Sequence, residues 1–352
     1  MGMVAELPER VLSEYTLDIE NGETIKDGET IKNCCRIQSA NGSYAVWKYQ
    51  GELGLLQKVL EWRERLVEKG FTEFLRLYKT KNGKNMVQAE EYGYYVTTWP
   101  SQGYTYFDPE KSEQASGLIK VVEALSRLHT AGKASTPPKG TPIEYPESAA
   151  ACPESSEVYW LKAYQERLTD LLYFYHYLQE RKLVNDFERI YVENFAGFYE
   201  RGQQAIQRMV LAGSDSENNL EPGFLIGNFL PQNMLETETG IVFLNIANCP
   251  QGLPIHDLSL LMKMYLPHRQ WDKEFALKLL TCYQEKSTLN NQEKHLLLAQ
   301  LSFPARFCIF TEKYLHGTRE VTELAADFKK YLYESFWQDR CLEQLENYLW
   351  GE

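Results

Sequence analysis

The chain has 352 residues, enough for about two domains at ~150 residues each, and its 43% hydrophobic and 13% aromatic content can build sizeable cores. Lys and Arg total 37 against 49 Asp and Glu, and the net charge of −12 excludes nucleic acid or an anionic membrane as the main ligand. Apolar runs such as 241–244 and 258–262 fall far short of the ~18–20 residues of a membrane span, so no membrane insertion is expected.

The N-terminus lacks the basic and apolar regions of a signal peptide, and Glu6 stands where a myristoylation signal has Ser or Thr. The chain is therefore expected to be made in the cytoplasm. Seven cysteines (34, 35, 152, 249, 282, 308, 341) are odd in number and form no CxxC pair, which fits reduced thiols rather than a disulfide framework or a metal site.

In chain order, residues 15–50 predict strands. Residues 15–19 come first, then two near-identical six-residue segments, 22–27 and 28–33, each preceded by a turn pair, Asn21-Gly22 or Asp27-Gly28. Asn41-Gly42 separates 36–38 from 43–48, completing a small antiparallel sheet. Apolar residues at 53, 56, 59, 60 and 66, with charges between them and Gly70 as the stop, predict an amphipathic helix. Residues 85–89 and 92–99 read as two further strands. From Ser112, the stripe Ala115, Leu118, Val121, Val122, Leu125 and Leu128 predicts a helix. The stretch 132–157, rich in Pro, Ser, Ala and Gly, reads as a mobile loop. Two long aromatic-rich helices follow, about 157–180 and 185–211, then a linker at 213–222. Short strands at 223–225, 233–235 and 241–246 precede helices to the C-terminus.

Five strands with one inserted helix, a helical remainder and a short polar hairpin resemble the protein-kinase-like fold, and within it the aminoglycoside and choline phosphotransferases. That branch has a catalytic loop His-Gly-Asp-x-x-x-x-Asn, then a strand ending Ile-Asp-aromatic, then Tyr-Asp-Leu. Here the corresponding stretches are Ile226-Gly227-Asn228-Phe229-Leu230-Pro231-Gln232-Asn233, Phe243-Leu244-Asn245-Ile246 and His256-Asp257-Leu258. A finer resemblance is to the CotS-like spore-coat kinase-like proteins. It rests on Leu125-Ser-Arg-Leu-His129, the hinge strand Tyr94-Tyr-Val-Thr97-Thr98-Trp99, Lys69-Gly70-Phe71 and the aromatic helical pair, and it spans about residues 30–345. The resemblance implies an α+β, two-lobed protein-kinase-like fold. A sheet lobe would occupy 1–98, and a helical lobe 99–352 would carry the hairpin at about 223–260.

Phosphoryl transfer is mostly positioning and charge neutralisation, and the resemblance implies a role for each matched position. Asn228 replaces the Asp that accepts the substrate proton, and an amide takes up no proton near neutral pH. Asn245 replaces the Asp that holds Mg²⁺, offering a neutral oxygen to a hard cation. Asn233, the second metal position, is retained. On the third strand, strand alternation puts Trp47 in the place of the nucleotide-binding Lys and turns Lys48 to the opposite face. A one-residue bulge would restore Lys48, with Glu52 as its partner. The turn 27–33 that should cover the phosphates has a single glycine and an acidic residue and cradles anions poorly. Asp257 resembles a structural anchor of the fold. His129 and His256, beside apolar stripes, read as packed core histidines. Tyr159, Trp160, Tyr164, Tyr173, Phe174, Tyr175 and Tyr177 exceed what one helix face buries, and offer either packing or a partner surface.

The favoured expectation is a catalytically degenerate pseudokinase needing no cofactor. By resemblance it acts among other spore-coat proteins, made in the mother-cell cytoplasm and then placed in the spore coat. The alternatives are an active phosphotransferase using ATP and Mg²⁺ through Asn233, a bulged Lys48 and Glu236 or Glu238, or a nucleotide-binding switch without turnover.

Overall fold

The computed structural model describes residues 8–17, 34–100, 103–107, 115–133, 156–214, 220–244 and 251–351. The two six-residue repeats, the turn at 27–33, most of the loop 132–157 and Asn245 lie outside the described residues. The chain forms two compact units, Met1–Ala151 with Pro222–Pro254, and Cys152–Glu221 with Ile255–Glu352.

In the first unit α1 (Glu9–Ser13) is followed by β1 (Cys34–Ser39), β2 (Gly42–Tyr49), α2 (Leu53–Glu68), β3 (Leu77–Tyr78), β4 (Val87–Ala89) and β5 (Tyr92–Trp99). The five strands make one antiparallel sheet in the order β1-β2-β5-β3, with β4 also pairing β5. Directly opposite residues share a face of a sheet. One face therefore carries Cys35, Ile37, Tyr44, Val46, Tyr94 and Val96, which pack on Val11 and Tyr15. The other face carries Arg36, Ala45, Trp47, Tyr95, Thr97 and Trp99, on the side where α2 docks. Gly93, on that second face, lets α2 approach: a Cβ there would stand 2.6 Å from Leu56 Cδ2 and 3.0 Å from Leu53 Cδ2.

The unit continues with β6 (Tyr104–Tyr106) and α3 (Ala115–Lys133), and is completed by β7 (Gly223–Phe224), β8 (Met234–Thr237), β9 (Gly240–Phe243) and β10 (Gln251–Gly252). A three-stranded sheet β6-β8-β9 and the pair β10-β7 hold the polar hairpin. The sequence expectation missed α1, too short to show a period. It also put a strand at 15–19, whose described part, Tyr15 to Leu17, is irregular because Tyr15 turns into the core under the sheet.

The second unit is helical, with α4 (Ser156–Gln179), α5 (Asp186–Ser214), α6 (Pro254–Tyr265), α7 (Lys273–Gln284), α8 (Asn291–Ser302), α9 (Ala305–Leu315) and α10 (Val321–Trp350). Its core is aromatic: Phe307 packs against Tyr191, Phe198 and Phe328, with ring centroids 4.8, 4.4 and 5.3 Å apart. The turn from α4 to α5 is pinned by Glu188. Its buried carboxylate accepts from Arg181, from the Val184 N–H at 2.8 Å and from the Tyr314 hydroxyl at 2.5 Å. Burial alone would raise the pKa of Glu188, but these donors outweigh it and hold the group below its ordinary value. Asn290 and Glu293 close a reciprocal capping box at the start of α8.

Candidate functional site

The β2 ladder decides what faces α2. Its register to β5 runs one-to-one from Ser43 opposite Trp99 to Tyr49 opposite Gly93, and its register to β1 is equally unbroken at Trp47 opposite Cys34. No bulge intervenes, so Trp47 and Lys48 point to opposite faces. Trp47 is buried, stacks on Tyr95 at 6.0 Å and 10°, and donates its indole N–H to Thr97 Oγ1 at 3.0 Å. Lys48 lays its ammonium over the Tyr92 ring at 3.7 Å. Glu52, the proposed partner of a bulged lysine, is exposed at the N-cap of α2.

Toward Trp99, at the end of β5, the same face carries a second cluster. The Arg36 guanidinium lies 5.1 Å from the Trp99 ring and donates to the Tyr104 hydroxyl, while Tyr104 meets Trp99 edge-on at 5.8 Å. Thr97 and Trp99 are buried, and Thr98, on the reverse face, donates its N–H to the Arg76 carbonyl at 2.8 Å. Alternation along β1 puts Arg36 on the face of Ala45, a signal present in the sequence. Its meeting with Trp99 and Tyr104, 63 and 68 residues away, carries no local signal.

The hairpin orders its own loop. Gly227 takes a left-handed φ of +66°, and exposed Asn228 folds its side-chain oxygen back to accept the Leu230 N–H at 3.1 Å, an Asx turn. Asn233 is buried at the end of a 3₁₀ turn, its N–H bonded to the Leu230 carbonyl and its carbonyl to the Leu244 N–H, both at 2.8 Å. These bonds hold Leu244 beside Asn233. Asn245, the next residue, lies outside the described residues. Glu236 is held by Lys120 Nζ at 2.6 Å. Among the described residues no three His, Cys, Asp or Glu side chains gather as a metal site.

Asp257 and His256 open α6 in the second unit, both buried. His256 pairs through Nδ1 with the Gln300 side chain, Gln300 also takes the Ser259 hydroxyl, and Trp160 lies 5.4 Å from the imidazole. Burial pushes the His256 pKa down to about 4 against the opposing Gln300 bond, so the ring is neutral at pH 7. His129 is fully buried in α3. Of the aromatic residues on α4, Tyr164 and Phe174 are buried, whereas Tyr173 and Tyr177 are 71% and 55% exposed. These two line a cavity of about 550 Å³ with Arg167, Asp170, Glu312 and Leu315.

A profile of the family described as "Spore coat putative kinase YutH" matches residues 10–345. Spore coat protein S of Bacillus subtilis (strain 168) is 21% identical over 320 residues, which is 88% of this chain and 84% of that protein. Among solved structures, an aminoglycoside phosphotransferase from Alicyclobacillus acidocaldarius subsp. acidocaldarius DSM 446 matches with a TM-score of 0.76 at 17% identity, covering 98% of this chain and 97% of that one. A spectinomycin phosphotransferase solved with ADP and spectinomycin matches with a TM-score of 0.54 at 12% identity, over 97% and 98% of the two chains. At such identities the structural likeness shows the fold, an α+β kinase-like phosphotransferase fold.

Proposed function

The chain belongs to the spore coat YutH kinase-like family, and from that premise we propose that it is a catalytically degenerate pseudokinase that serves spore-coat assembly by protein contact. The observation that carries this reading is the unbroken register that keeps Trp47 on the α2 side of β2, in the lysine's place. An indole there offers no charge to a phosphate, and its one N–H is already given to Thr97. Arg36, Trp99 and Tyr104 fill the hinge end of the same face. Asn228, with its oxygen turned to its own loop, takes the place of the base, and Asn245 that of the Mg²⁺ carboxylate.

In this reading no nucleotide or metal is needed. The chain is made in the mother cell and ends in the coat, and its partners are other coat proteins. Tyr173 and Tyr177, left in solvent on α4, supply aromatic surface of the kind protein contacts use. The active alternative draws on a bulged Lys48 and on Glu236 or Glu238 for metal; Lys48 lies on the other face and Glu236 is engaged by Lys120, and both speak against it.

The test is to restore both carboxylates, Asn228→Asp with Asn245→Asp, and to follow coat incorporation in the sporulating host together with γ-phosphate release from ATP. The double variant is expected to enter the coat as the wild type does and to release no phosphate. Phosphoryl transfer by the wild type, or loss of incorporation in a folded double variant, contradicts the proposal, and transfer by the double variant alone contradicts the part assigned to Trp47.

A further inference from the structure

The apolar face of α2 carries one residue out of character. Leu55, Leu56, Val59, Leu60, Trp62 and Leu66 are buried, and among them Arg63 is buried completely. Its Nη1 donates to Glu64, the next residue, and the guanidinium lies 5.5 Å from the Phe74 ring. Nε and Nη2 meet no acceptor. The adjacent Trp62, edge-on to Phe224 at 5.0 Å, also buries its indole N–H without an acceptor, and Phe224 lies 5.7 Å from Phe74. Two neighbouring residues thus bury three N–H-bearing nitrogens, Trp62 Nε1 and Arg63 Nε and Nη2, that meet no acceptor.

The charge of Arg63 is met on one side by Glu64, but a buried N–H without an acceptor forfeits its hydration with nothing in return, which an apolar side chain of the same volume would not do. Burial pushes the Arg63 pKa down, and Glu64 opposes it. The vacant pair of atoms is also specific in shape. Nε and Nη2 form the side-on edge of the guanidinium, which presents two parallel N–H groups to two oxygens of one carboxylate or phosphate.

We propose that Arg63 is the receptor of a small oxyanion, bound side-on through Nε and Nη2 within the first unit. The inference goes beyond the pseudokinase reading, because an oxyanion held by Arg63 needs neither the adenine slot nor a metal. The ligand proposed is a compact anion, because the donors are enclosed beside the Phe74 and Phe224 rings.

The experiment is thermal unfolding of the full chain in rising inorganic phosphate or acetate, against chloride at equal ionic strength. It compares the wild type, Arg63→Met and Arg63→Lys. Arg63→Met removes the two donors that lack acceptors while keeping a long apolar side chain, and should melt at or above the wild type without added anion. The wild type should show a saturable rise in melting temperature with phosphate, with acetate or with both, and which of them acts identifies the oxyanion. Arg63→Met should show only the non-saturating rise that excluded salts give any protein. Arg63→Lys keeps the charge but loses the paired edge, and should lose most of the saturable response. A wild type that responds to both anions as it does to chloride overturns the proposal, as does a saturable response that survives in both variants.

Discussion

At the scale of single residues the molecule shows how one side chain changes what a strand can do. Trp47 and Lys48 are neighbours in sequence, and alternation alone predicted that they face opposite ways. The sequence could not say whether a bulge intervened, because a bulge is set by pairing with strands far along the chain, and the continuous ladders to β1 and β5 exclude it. Arg63 was equally visible, standing between Leu60 and Leu66 on the predicted apolar stripe, but periodicity counts apolar residues and passes over a charge among them. His256 was read as a core histidine from its apolar neighbours, and its burial has a consequence for pH. Its native pKa is near 4 and its unfolded value 6.5. As pH falls from 6.5 towards 4, the unfolded chain therefore binds a proton that the native interior refuses. Stability drops by roughly 1.4 kcal/mol per pH unit, about 3 kcal/mol in all, and levels off below pH 4. Unfolding free energies of His256→Gln should run parallel to the wild type above pH 6.5 and lose this part of the slope below it. Curves that stay parallel down to pH 4 would show that His256 is not held neutral.

At the scale of elements, periodic segments were legible and short ones were not. The helices predicted at about 157–180 and 185–211 are found at Ser156–Gln179 and Asp186–Ser214, because their apolar repeats run for many turns. The five-residue α1 has too few turns to show a repeat. The meeting of α2 with β5 depends on Gly93, whose role no pattern announces. Gly93→Val should push Leu53 and Leu56 away and destabilise the fold by about 1–3 kcal/mol in denaturant unfolding. Gly197, inside α5 with nothing within 4 Å of a new Cβ, provides the contrast. Gly197→Ala should stabilise by roughly 0.5–1 kcal/mol through helix propensity. A neutral Gly93→Val would mean that α2 does not press on β5 there.

For the molecule as a whole, the order of elements sufficed to point to the kinase-like fold, since topology survives changes of individual side chains. The spacing of Asn228 and Asn233 in the hairpin was legible for the same reason. The packing of Arg36 onto Trp99 and Tyr104 was not, because it joins β1 to two strands far along the chain. In the function proposed above, that packing and Trp47 together close the face a nucleotide would need. Melting in ATP with Mg²⁺, set against tripolyphosphate with Mg²⁺ at the same concentration, tests it directly, because the two ligands differ by the nucleoside. Coincident curves are expected. A further stabilisation in ATP, near the ~2.7 kcal/mol that a ligand gives at a hundred times its Kd, would contradict it.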